Sequence, residues 1–206
     1  PGPYGVRRII ASPFEGQWPF SRTARRHDYS LEPPRDTMLD HIKRAGLDVL
    51  SVGKINDIFA GKGITDMVRT VDNADGVDKT LAYMDRDFHG ICFTNLVDFD
   101  MKYGHRNDIE GYANALSYFD KRLPELLAQL QDEDMLMITA DHGCDPSTPS
   151  TDHSREYIPI IAYGRNLKSN VNIGTRDTFA DISATILDIF DMEKLENGTS
   201  FKNEIL

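Results

Sequence analysis

The stretches DVLSVGKI (48–55), GICFTNLV (90–97), MLMITA (135–140) and YIPIIAYG (157–164) are apolar almost without a break. A strand with one wet face alternates apolar and polar residues, whereas a strand covered on both faces has no need to. Each run is also shorter than an ordinary helix. They therefore predict strands sandwiched between helices, and sheets covered in this way are parallel.

Helical spacing lies between the runs. TMLDHIKRAG (37–46) places Met38, Ile42 and Ala45 on one face and ends at Gly46, which suits a helix C-terminus. From Ile109 to Leu130 an apolar stripe runs through Tyr112, Leu116, Phe119, Leu123, Leu127 and Leu130, and Pro124 within it kinks the helix or opens a second one. TFADISATILDIF (178–190) sets Phe179, Ile182, Ile186 and Phe190 on one face. Strands alternating with helices predict an α/β layered domain with right-handed crossovers. A chain of 206 residues is long enough to bury a sizeable core in that way.

The first thirty-odd residues differ, with short strand-like pieces, aromatics and the basic cluster SRTARRHDY (21–29), before Pro33 and Pro34 mark a hinge. PGPYGVRRIIASPF opens without Met and reads as a strand entered mid-domain, so we expect a piece of a longer protein. The formal charge of −10 argues against a nucleic-acid surface. It leaves room for a small phosphorylated substrate, because a few local cations outweigh the global field. No apolar run approaches the length that spans a bilayer and no signal pattern opens the chain, so no membrane association and a cytoplasmic location are expected. Cys92 and Cys144 lie in unlike contexts and predict no disulfide framework.

In open α/β sheets, ligands gather outside the carboxyl ends of the strands. GICFTNLV runs into DFDMKYGHRND, offering Asp98, Asp100 and His105; MLMITA runs into DHGCDP, offering Asp141 and His142, with His153 farther along the same loop. Mixed Asp and His ligation suits Mn²⁺, Zn²⁺ or Fe²⁺ better than Ca²⁺, which prefers oxygen alone. So many groups exceed the usual needs of one catalytic metal. Two metals are expected, which together clamp the attacking and leaving oxygens of a phosphoryl transfer. A single Asp-His pair is ordinarily a solvated turn or a helix cap; the meeting of two strand ends with His153 favours the metal. His41 and His89 read as surface residues, and Cys144 as a passive thiol rather than a ligand or nucleophile. Arg8, Arg22, Arg25, Arg26 and His27 form either a solvated face or an anion site. Lys54, closing a strand at its carboxyl end, either snorkels to solvent or faces the same site.

Five stretches carry a resemblance: SRTARRHDYSLEPP, SVGKINDIFAGKGIT, NLVDFDMKYGHRND, ITADHGCDPSTPSTDHSREYIP and TFADISATI. In this order, and across essentially all 206 residues, the chain resembles the C-terminal half of the phosphopentomutases, a family of the alkaline phosphatase superfamily. The resemblance implies an alkaline-phosphatase-like layered α/β domain with a mostly parallel central sheet flanked by helices. Residues 1–33 would be the terminal piece of an α/β cap domain, and residues 34–206 the later part of the metal-binding core. It implies that Asp100, His105 and His153 hold one Mn²⁺ and that Asp141 and His142 hold the other, with Zn²⁺ or another divalent ion as a substitute. Asp98 is the rival of Asp100, and the family pattern favours the later aspartate. Arg8, Arg22 and Lys54 fall where the family contacts its substrate, a phosphorylated pentose.

The implied activity is an isomerase reaction, the interconversion of (deoxy)ribose 1-phosphate and 5-phosphate through a phosphoenzyme, by a monomer. The threonine nucleophile and one further aspartate belong to an N-terminal section that nothing here matches. We therefore expect the chain to be inactive alone. Ser12 stands where the family has an arginine, and Ser154 where a threonine is common. Two other outcomes compete: a cofactor-independent phosphoglycerate mutase or metal-dependent phosphatase of the same superfamily, and a non-catalytic metal-binding fragment. The VDFD and TDHSREY contexts tell against the first.

Overall fold

The computed structural model describes residues 8–23 and 27–206, with Arg8, Arg22, His27 and Asp28 described by their backbone alone. The first four strands are β1 (Arg8–Ala11), β2 (Phe14–Glu15), β3 (Ser21–Arg22) and β4 (His27–Ser30). β1 pairs antiparallel with β4, and β2 with β3.

Helix α1 (Met38–Arg44) follows, its N-terminus held by the Asp40 carboxylate, which accepts the Thr37 N–H at 2.7 Å. Then come β5 (Asp48–Val52), α2 (Ile55–Ile58), β6 (Asp66–Val68), α3 (Asn73–Met84) and β7 (Gly90–Thr94). β5 lies between β6 and β7, and both pairings are parallel. This is the centre of the molecule. Val49, Leu50, Ser51 and Val52 are at most 1% exposed. Val49 packs with Leu39 and Ile42 of α1 on one face, while Leu50 and Val52 pack with Tyr83 of α3 on the other. The unbroken apolar run thus has the cause inferred from it, cover on both faces.

A π turn (Phe99–Tyr103) and a 3₁₀ turn (Gly104–Arg106) connect β7 to α4 (Ile109–Gln129). The chain ends with β8 (Leu136–Thr139), β9 (Ile160–Tyr163), α5 (Ala180–Ile189) and α6 (Lys202–Ile205). Leu187 of α5 joins the core cluster of α1. The domain is an α/β layered fold with a parallel central sheet flanked by helices.

Three expectations change with the structure. β8 and β9 pair with each other, and antiparallel. A parallel return needs a crossover, usually a helix, and residues 140–159 hold none. α4 is one helix that passes through Pro124 without ending, and its apolar stripe is only partly covered, with Leu116 exposed and Leu126 and Leu130 buried. On α5 the fully covered face is Asp181, Ala184, Thr185 and Leu187, while Phe179 lies at the N-cap and is exposed. There the buried Asp181 carboxylate accepts from Arg176 at 2.9 Å and from the Thr199 N–H at 2.8 Å, so polar partners turn the helix inward. β6 and α3 were not anticipated from the residues.

Candidate metal centre

The end of β7 is fixed before the ligands begin. Asp98, 6% exposed, accepts the backbone N–H of Asn73 at 2.9 Å, and its own N–H donates to Asn73 Oδ1 at 2.9 Å. Lys102 Nζ donates to the same carboxylate at 3.0 Å. Asp98 is thus satisfied by α3 and by the next turn, and does not face the histidines.

Asp100, two residues on, is in the opposite condition. Its Oδ1 is 3.2 Å from His105 Nε2 and 3.2 Å from His153 Nε2, yet it is buried and has no hydrogen-bond partner among the described residues. A Thr151 carbonyl lies 2.5 Å from His105 Nδ1, and the Gly143 carbonyl 3.0 Å from His142 Nδ1. A carbonyl only accepts, so each Nδ1 carries the proton, and in the neutral ring Nε2 keeps its lone pair. The imidazole lone pair of His105 is therefore turned toward a carboxylate that also has only lone pairs to offer. Such a meeting of acceptors is relieved by a cation.

His142 completes the group. One donor atom from each of Asp100, His142 and His153 lies within 4.8 Å of the others, close enough to hold one metal ion. The rings of His142 and His153 stack at 3.6 Å between centroids, and those of His105 and His153 at 5.1 Å. Asp141, at the rim, is 3.7 Å from His142 Nε2. Two oxygen- or nitrogen-bearing strand ends thus converge on one point, and this donor set fits a divalent transition metal.

The loop is brought round by Gly143. Its backbone bridges Ser154 in antiparallel fashion, and a Cβ there would lie 2.6 Å from the Ser154 carbonyl and 2.7 Å from Glu156 Oε2. Only glycine lets the two arms approach so closely. Gly53 plays a similar part at the end of β5, with φ +82° and the Asn95 carbonyl 2.7 Å from where a Cβ would be. It turns the chain so that Lys54 Nζ reaches Met101 Sδ at 2.9 Å, next to Asp100. Burial foremost, and then the charges of Asp100 and Glu156, push the Cys144 thiol upward, as befits a passive thiol.

Arg8 and Arg22 stand in β1 and β3, where only the backbone is described; Arg25 and Arg26 lie outside the described residues. His41 is half-buried rather than fully at the surface, and His89 is exposed, edge-on to Phe190. Asn73, the partner of Asp98, and Asn107, which follows the 3₁₀ turn, were not among the expected site residues. For Asn107 the available signal was an asparagine between a turn and a helix cap, a place where left-handed backbone is common.

A family profile described as the metalloenzyme superfamily matches residues 20–194. The chain belongs to the metalloenzyme superfamily. Within that superfamily it is similar to proteins named phosphopentomutase. It is 63% identical to one from Lachnoclostridium phytofermentans, with all of this chain and 53% of the relative covered. It is 60% identical to one from Kosmotoga olearia and 57% identical to one from Thermotoga maritima, each over 98% of this chain and 52% of the relative. The chain spans about half the length of the curated relatives it matches. The superfamily match and the relatives agree with the resemblance carried by the motifs. No helix among the described residues is long and apolar enough to cross a membrane.

Proposed function

We propose that the chain is the metal-bearing part of a phosphopentomutase, an isomerase that interconverts (deoxy)ribose 1-phosphate and (deoxy)ribose 5-phosphate. The observation that carries this is the orphaned Asp100 Oδ1 between His105 and His153, in a chain aligned along its full length with phosphopentomutases.

Asp100, His105 and His153 would hold one Mn²⁺, and Asp141 and His142 the second, with His142 lying close enough to Asp100 and His153 to stand at the boundary of the two sites; Zn²⁺ suits the same donors. When bound, the metals neutralise phosphoryl oxygens and lower the pKa of the attacking hydroxyl. The protein's own groups do the placing. The Thr151 carbonyl fixes the tautomer and tilt of His105. Lys54, with Arg8 and Arg22, would grip the phosphate that is not being transferred, the arginines through paired N–H donors. That grip would keep the sugar bisphosphate, formed when the phosphoenzyme gives its phosphoryl group to the substrate, in the site until its other phosphate returns to the enzyme.

The phosphoryl-accepting threonine is assigned to the part of the relatives' length that these 206 residues do not span. Residues 1–33 would close a cap and residues 34–206 form part of the core, in a cytoplasmic monomer. The 206-residue chain would then bind metal and turn over nothing.

A protein of the relatives' full length, loaded with Mn²⁺, is offered ribose 5-phosphate and 3-phosphoglycerate separately and followed by phosphorus NMR. Formation of ribose 1-phosphate is expected. Isomerisation of 3-phosphoglycerate alone would overturn the assignment, and turnover by the 206-residue chain would overturn the division of labour.

A further inference from the structure

Asn107 touches no candidate ligand, yet it joins the two arms of the metal centre. It stands between the 3₁₀ turn that carries His105 and Asp108, whose carboxylate caps α4, with φ 52° and ψ 32°. Asparagine is one of the few non-glycine residues that accepts this left-handed backbone readily. The conformation sends its amide across to the other arm. Nδ2 lies 3.1 Å from the Pro146 carbonyl, 2.6 Å from that of Thr148 and 3.0 Å from that of Ser150. The next carbonyl along, that of Thr151, accepts from His105 Nδ1 at 2.5 Å. His153 follows two residues later.

Alternate carbonyls of one arc are thus drawn onto a single amide, and the arc is held at its far end by the histidine it presents to Asp100. The segment 140–159 contains no helix that could hold the arc in place. Without a clamp, ordering it would oppose metal binding, since fixing the residues of a free loop costs conformational entropy.

We propose that Asn107 is a positioning residue of the metal centre: its amide fastens the 146–150 arc so that His153 meets Asp100 and His105 at ligand distance before a metal arrives. This role rests on the metal centre proposed above. It goes beyond it in assigning affinity to a side chain that ligates nothing. An amide N–H₂ is the group required, because three carbonyls can be met only by a donor. A carboxylate of the same shape would face three carbonyl oxygens with lone pairs alone.

The test is a calorimetric titration of Mn²⁺ into a protein of the relatives' full length and two variants of it, each checked for folding by circular dichroism. Asn107→Gly keeps the left-handed backbone and deletes the amide. It should weaken Mn²⁺ binding by about 10–100-fold, the usual cost of losing an outer-shell partner. Asn107→Asp should weaken it at least as much, although an added negative charge nearby would by itself strengthen cation binding. In a His153→Ala background, Asn107→Gly should cost little more, because the clamp acts through His153.

Equal affinity in wild type and Asn107→Gly would overturn the positioning role and leave the metal centre standing. So would tighter binding by Asn107→Asp, or a full second loss in the His153→Ala background. Absence of Mn²⁺ uptake by wild type would instead overturn the metal centre itself, and the clamp with it. Should Asn107→Asp unfold, Asn107→Gly alone and in the His153→Ala background still decides the matter.

Discussion

The parallel unit around β5 and the antiparallel pair β8–β9 are built from equally apolar runs, but their connections are put to different use. From β6 to β7 the chain passes through α3, which covers one face of the sheet with Tyr83. From β8 to β9 it passes through a helix-free segment, 140–159, that carries Asp141, His142 and His153. The first connection builds packing, and the strand beside it, β5, is buried from Val49 to Val52. The second builds a site, and its strand pays in cover: Ile161 and Tyr163 of β9 are 54% and 52% exposed. Stability and chemistry are thus lodged in the connections of two different sheets.

This contrast can be broken at three places. The largest effect is expected at Leu50, 1% exposed at the centre of β5. Leu50→Ala should cost about 2–5 kcal/mol in a urea melt, while the Mn²⁺ affinity of the folded chain stays as in wild type. A joint loss of both would show that packing and site are not separate.

At Gly143 the reverse split is expected. Gly143→Ala forces a Cβ against the Ser154 carbonyl and Glu156 Oε2, and the loop must open. The stability cost should be about 1–3 kcal/mol, the range for overpacking, and Mn²⁺ titration should show an affinity loss larger than that of Leu50→Ala. Unchanged affinity would mean that the bridge to Ser154 does not place the ligands.

The smallest effect sharpens the picture of the parallel sheet. Burial pushes the Cys92 thiol up to about 11, with the Thr94 hydroxyl pulling slightly the other way. Its folded value is raised, so its contribution is fully present below the unfolded value and is lost as pH rises toward 11. Melting temperature should therefore decline between pH 9 and 11, by the equivalent of about 1 kcal/mol at pH 10. Cys92→Ala should flatten that part of the curve, and an undiminished decline in the variant would place the titrating group elsewhere.

The same contrast explains what could be read from the residues. Strands covered on both faces announce themselves by unbroken apolar runs, and both β5 and β7 were legible. Strand direction has no such mark, because it depends on what lies between strands, and LMIT and YIPIIAYG look alike whether they run parallel or antiparallel. β6 has three residues, one of them Asp66, too few to register as a pattern. α3 mixes Asp75, Gly76, Asp78 and Lys79 among its apolar positions, and its clearest sign was the cap at Asp72, which accepts the Asp75 N–H. In the site, the crowding of Asp and His was plain, since those residue types have few reasons to gather. Asn107 was not, since an asparagine in a turn is common and its partners lie some forty residues away.

The reciprocal bonds between Asp98 and Asn73 have a consequence for how the chain can change length. They tie the end of β7 to the start of α3, so Asp98 is a fixed point from which the next residues are counted. Asp100 reaches the histidines because it is two steps from that point, no more and no fewer. One residue inserted between Asp98 and Asp100 would leave the anchor intact and carry the carboxylate round the turn, away from His105. One residue inserted at the exposed Asn170, between β9 and α5, would lengthen a loop that carries no candidate ligand and leave the count unchanged. Homologous chains that keep this chemistry should vary in length in the second place and not in the first.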